Sequence, residues 1–230
     1  MSVVCAQFVK AEDGALRVGW LWGQIACVGL AVIIPSVAAW LARRSEINAL
    51  TQSRLELNSG LDPVVRKLGE LSLVTSKRAR EPLRAEIMAL VIVAAHQVLG
   101  SSGVTRSCYF ELTSGPPKSL LPTKNHGGRP GSARSSFIEG TDSGDAAIRL
   151  VEENDYWLCR DVKKNPPPGW DSSVKRDYRS FMSVAVVAGN VGYGMLTVDS
   201  KKRRDFDRGD VDLLRVLAGL LAASLASNGE

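Results

Sequence analysis

Few side chains in this sequence of 230 residues can do covalent or metal chemistry. There are two histidines and four cysteines, and His96 and His126 stand apart, one inside a helical stretch and one in the run Asn125–Gly128. Two isolated histidines do not supply a metal ligand set, so neither a metal nor a cofactor is expected. Cys108 falls on what reads as the core-facing side of a strand and is expected to be a small apolar filler. Cys159 is the more interesting thiol. The other chemistry-bearing feature is charge. Residues 114–135 contain Lys118, Lys124, Arg129 and Arg134 with no acid, and residues 160–179 hold six bases against three acids. If both stretches roof one cavity, they favour an anionic, nucleotide-like ligand. The competing reading is a solvated basic surface beside anionic lipid. Stacking aromatics at regular spacing are missing, so nucleic acid is not an expected partner.

The elements that must position these groups begin after a very different segment. Lys+Arg 29 against Asp+Glu 24 gives a mildly basic chain, yet no residue from Val18 to Ala42 is charged. That run exceeds the roughly 20 apolar residues needed to cross a bilayer core as a helix. Trp20, Trp22 and Trp40 sit near its ends, as interfacial indoles do. The sequence therefore predicts a short tail at 1–17, a transmembrane helix at 18–42, a juxtamembrane linker helix within 43–62 and a water-soluble domain at 63–230. Arg43 and Arg44 favour a cell-membrane protein whose C-terminal domain is cytoplasmic. Ile47, Leu50, Arg54, Leu57, Leu61, Val64, Leu68 and Leu71 recur at spacings of three and four. The same seam could pair two copies or pack on its own domain. Asp62–Pro63 reads as a helix cap followed by a first-turn proline.

In the domain, helices are expected at about 63–73, Glu81–Leu99, 143–153 and 208–227. Strands are expected at Val104–Thr113, Ser119–Leu121, Ser136–Ile138 and Tyr156–Cys159. Phe181–Ala188 and Val191–Val198 flank Gly189–Asn190, a two-residue hairpin turn. The strand at Val104–Thr113 alternates: Val104, Cys108, Phe110 and Leu112 toward the core, Ser107, Tyr109, Glu111 and Thr113 toward water or a cavity. The order predicts an α+β fold, an antiparallel sheet of about five to six strands with helices packed on one face.

Several short runs then resemble the GAF domain, a PAS-related small-molecule sensor fold. They are Cys159-Arg160-Asp161-Val162, Arg179-Ser180-Phe181-Met182-Ser183-Val184, Gly192-Tyr193-Gly194-Met195-Leu196-Thr197-Val198 and Phe206-Asp207-Arg208-Gly209-Asp210. The resemblance implies a pocket on the sheet face away from the helices, homodimerisation through the first and last helices, and signalling in place of catalysis. It makes Tyr109, Glu111 and Ser183 the expected cavity-side strand residues and Arg134, Asp161 and Arg179 the expected loop-borne ligand contacts. Arg160 stands where bilin-binding members have histidine after the attachment cysteine, and Val211 replaces the glutamate of the cyclic-nucleotide signature. The expected function is a membrane-anchored sensor that binds a small ligand, self-associates, or both. Because no output module follows Glu230, output is expected through a downstream protein partner or the membrane helix. The rivals are a membrane effector clustered by its ligand, a ligand-free assembly platform, and a thiol reductase using Cys159.

Overall fold

The structure is a computed structural model, and it describes residues 59–227 apart from 102, 132, 134, 173 and 175. The expected membrane helix at 18–42, most of the linker at 43–62 and Arg134 lie outside the described residues. Among the described residues no helix is long and apolar enough to cross a membrane.

The described residues form four helices and six strands, in the order α1 (59–73), α2 (Lys77–Val98), β1 (Thr105–Thr113), β2 (Ser119–Gly128), β3 (Phe137–Ile138), α3 (Asp142–Glu152), β4 (Tyr156–Cys159), β5 (Ser180–Ala188), β6 (Val191–Ser200) and α4 (Arg208–Ala226). The strands form one antiparallel sheet in the order β3-β2-β1-β6-β5-β4, so the first strand and the last lie side by side at its centre. Phe181–Ala188 and its partner form the hairpin expected, with Ala188 opposite Val191 across Gly189–Asn190. Gly189 has φ +59°, the positive value a two-residue turn of this kind requires at its first central position. In β6, Gly194 has φ +152°, and a Cβ there would stand 2.0 Å from the Phe110 carbonyl oxygen of β1. Only glycine lets the two central strands approach so closely.

Two apolar layers follow from the pleat. Ile87, Val91 and Ala95 of α2, Val64 and Leu71 of α1, and Leu214, Leu217 and Leu221 of α4 cover one face of the sheet. They pack against Tyr109, Val184, Val186, Leu196 and Val198. The seam residues Leu61, Val64, Leu68 and Leu71 are therefore spent on the domain's own core. The other face carries Cys108, Phe110, Leu120, Ala185 and Met195, which pack against Ala147, Ile148, Leu150 and Val151 of α3. This corrects the expectation of helices on one face alone: α3 covers part of the second. Its start is fixed by Thr141, whose hydroxyl accepts from the Gly144 N–H at 3.0 Å.

Three boundaries also shift. Residues 59–62 are already helical, so Asp62 pairs with Arg66 inside α1 and does not cap it. Helix α2 begins a turn early because Lys77–Arg80 are good helix formers, at the cost of the backbone hydrogen bond that Pro82 cannot make. Ser119–Leu121 is only the start of β2, which runs on through Pro122 to Gly128 beside β1.

Candidate functional site

Between the second sheet face and the segments above it lies a cavity of about 530 Å³. That is within the ~300–1,000 Å³ range of small-molecule sites. Its floor follows from strand register. Arg106, Asp199 and Phe181 stand in one cross-strand row; Cys108, Thr197, Ser183 and Trp157 form the next; Phe110 and Met195 form the third. The floor thus grades from charged, through small and polar, to apolar. In the middle row the Ser183 and Thr197 hydroxyls are 2.9 Å apart and bonded to each other.

The roof comes from the described residues of 131–137 and of the long loop 160–179. Trp170 stacks on Phe181 with ring centroids 5.7 Å apart, Tyr178 meets both edge-on, and the Arg176 guanidinium lies over the Trp170 ring, 3.9 Å from its centroid. These contacts make an aromatic wall with a cation against it. The loop is clipped at its base by an ion pair between Arg179 and Asp161 at 3.0 Å and by the Val162 N–H donating to the Arg179 carbonyl at 2.9 Å. Burial pushes the Asp161 carboxyl up, but Arg179 and the Lys163 N–H more than offset it, leaving it below the ordinary aspartate value.

A buried ion cluster closes the charged end. Arg106 donates to Asp199 Oδ2 from Nε at 3.0 Å and from Nη2 at 2.7 Å, and from Nη1 to the Gly131 carbonyl at 2.9 Å. Arg129, just past β2, binds Asp199 Oδ1 and also Asp177 of the roof loop. Burial raises the Asp199 carboxyl against the pull of the two guanidiniums, whereas the Asp177 carboxyl, also raised by burial, ends below its ordinary value because of Arg129.

Of the residues expected at the site, Ser183 lines the cavity. Tyr109 and Glu111 do not, which corrects the facing assigned to their strand. Tyr109 lies in the helix-side core with its hydroxyl donating to the Tyr193 carbonyl at 2.6 Å, and Glu111 is exposed on that same face. Cys108 and Phe110 face the cavity instead. The alternation was legible but its direction was not, because both faces of β1 are buried and the helix side satisfies its hydroxyls with backbone carbonyls; Ser107, for example, bonds Ile92. Asp161 and Arg179 pair with each other beneath the roof loop, outside the lining. Sequence reasoning missed Arg106 and Asp199, which gave a signal only in retrospect: opposite charges at the same height in two neighbouring strands.

The two thiols are quiet. Burial, and after it the nearby Asp199 charge, pushes Cys108 up to about 12. Cys159 is also raised by burial, and its S–H donates to the Asn165 carbonyl at 3.2 Å. Among the described residues no cluster of three metal-ligating side chains occurs. His96 is shifted down by burial, and His126 is exposed on β2.

Comparison with known proteins gives one family. The GAF domain family model matches residues 83–225. Similar solved structures include the GAF domain of an Acinetobacter phosphoenolpyruvate-protein phosphotransferase, 19% identical over 74% of this chain and 93% of that one, with a TM-score of 0.50. The corresponding domain from Coxiella burnetii is 14% identical over 75% and 94%, at 0.51. The free methionine-R-sulfoxide reductase of Neisseria meningitidis, solved with its substrate, is 16% identical over 72% and 89%, also at 0.51. At these identities the likeness establishes the fold alone. No curated protein matches the chain. The matched residues take in most of the described secondary structure, with the cavity among the strands and loops they span, and on that footing the chain belongs to the GAF domain family, a small-ligand sensor and signalling fold.

Proposed function

We propose that this domain senses a small ring-bearing molecule held between the second sheet face and the roof loop, in a chain anchored to a membrane by residues 18–42. The observation that carries the reading is the cavity, with an aromatic wall at Trp170, Tyr178 and Phe181 and a hydroxyl row at Ser183 and Thr197. A ring can pack along the wall while the hydroxyls fix its orientation. Net loop charge gives little support for an anionic ligand. Lys118 pairs with Glu152, Arg129 with Asp177 and Asp199, and Arg179 with Asp161. The described charges lining the cavity are two arginines and three aspartates.

The membrane anchor is proposed on the uncharged run from Val18 to Ala42 and its flanking indoles. Self-association is proposed through the outer surfaces of α1 and α4. Val65, Leu73 and Val216 are exposed there, whereas the seam residues Val64 and Leu71 are buried in the domain core. A conformational change in the roof loop on ligand binding would be read by a downstream protein.

Native mass spectrometry of the full chain, purified from cells in detergent, tests the reading. The expected result is an additional small mass on the wild-type protein that is lost in Ser183→Leu, which fills the cavity floor. Identical unliganded masses after incubation with a metabolite extract would make the domain an assembly platform without a ligand.

A further inference from the structure

The ion cluster at the charged end of the cavity has an imbalance that bears on the chemistry of the ligand. Its buried members are Arg106 and Arg129, 7% and 6% exposed, and Asp199, 3% exposed. Two positive charges thus share one negative charge, with little solvent exposure of their own. A surplus buried charge is costly unless an anion neutralises it. The neutralising group is Asp177, whose side chain is 60% exposed and which belongs to the roof loop, not to the sheet. Asp177, Asp199 and Arg106 border the cavity, and Arg129 stands behind the two carboxylates that bind it. Buried on the guanidinium, Arg129 Nε has no hydrogen-bond partner among the described residues.

We propose that Arg106 and Arg129 form a seat for a monoanionic ligand group, and that Asp177 is its internal stand-in. The ligand class is then a ring-bearing carboxylate: the ring lies along Trp170, Tyr178 and Phe181, and the carboxylate displaces that of Asp177. The exchange needs no new charge compensation, since one monoanion replaces another on the same guanidinium. It is favourable for a preorganised ligand because a carboxylate enclosed in the cavity receives charge-assisted bonds at lower dielectric than Asp177, whose side chain is 60% exposed. Displacing Asp177 also frees the roof loop next to Tyr178, so occupancy is coupled to loop position. This inference rests on the cavity reading above and deepens it from "small ring-bearing molecule" to one class.

The test is calorimetric titration of the purified full chain with phenylacetate and with phenylacetamide, its uncharged counterpart, on wild type and on Asp177→Asn. Folding of the variant is checked by its melting curve, and if Asp177→Asn does not fold, the wild-type ratio of acid to amide affinity decides the proposal alone. Wild type is expected to bind phenylacetate about tenfold more tightly than the amide. In Asp177→Asn the stand-in is gone, so phenylacetate should tighten by about tenfold more while the amide stays unchanged. Equal affinity for acid and amide would overturn the anion seat and leave the cavity reading standing. Weaker phenylacetate binding by Asp177→Asn would also overturn it, by showing that Asp177 supports the site and does not compete for it. Failure of both probes to bind wild type would overturn it too, with the mass measurement then deciding the cavity reading separately.

Discussion

Cys108 shows what burial does to a residue that looks reactive on paper. It faces the cavity, yet burial and the neighbouring Asp199 charge hold its thiol at about 12. A thiolate is the reacting form, so at pH 8 Cys108 should resist iodoacetamide in the folded protein and label fully in guanidinium, as peptide mapping would show. Rapid labelling of the native protein would mean that the roof opens freely. Asp161 makes a different point. Its folded carboxyl lies below the ordinary aspartate value, so it binds protons less readily than in the unfolded chain. The pair with Arg179 therefore adds stability above about pH 4, the unfolded value, and loses it as pH falls through the folded value. Asp161→Asn should lower the melting temperature at pH 7 and flatten its fall on acidification. Melting curves across pH 2–7 that superimpose for the two proteins would disprove that role.

At the scale of elements, the site is held by the central strands and closed by a loop. The close approach of β6 to β1 at Gly194 sets the register that lines up Arg106 with Asp199 and Cys108 with Thr197. Gly194→Ala should cost at least ~2 kcal/mol in denaturant unfolding, since the Cβ would have to displace backbone. Helix α4 starts with a reciprocal cap: Asp207 accepts from the Asp210 N–H at 3.1 Å and the Asp210 carboxylate accepts from the Asp207 N–H at 2.8 Å. Asp207→Ala should cost about 1 kcal/mol without changing ligand affinity, because α4 lies on the helix side of the sheet and the cavity on the other. A change in affinity from that substitution would show that the two faces communicate.

For the whole molecule, anchoring and self-association are the proposals open to direct measurement. Deleting residues 1–44 should move the protein from the floating to the soluble fraction of a lipid flotation gradient. A truncated chain that still floats would place lipid binding on the basic surface of the domain. Replacing Val65, Leu73 and Val216 together by aspartate should halve the mass seen by light scattering with little loss of stability, because all three side chains are exposed. An unchanged mass would exclude the α1 and α4 surfaces as the contact.

What the linear order of residues determined was local: period, punctuation and caps. Gly189–Asn190 between two apolar runs specified the hairpin, Asp207 with Asp210 specified the start of α4, and alternation over Val104–Thr113 specified a strand. These signals are short-range, because turn geometry, capping and the pleat act within a few residues. Which face of that strand met the cavity was a tertiary matter. It depended on where α3 and the roof loop come to rest, so Tyr109 and Cys108 exchanged the roles expected of them. The ion cluster is tertiary in the same sense. Arg106 and Asp199 are 93 positions apart, and only sheet register makes them neighbours. Charge counts along the loops could not show that Arg129 is buried between Asp199 of the sheet and Asp177 of the roof. That arrangement depends on three-dimensional burial, which no stretch of sequence contains.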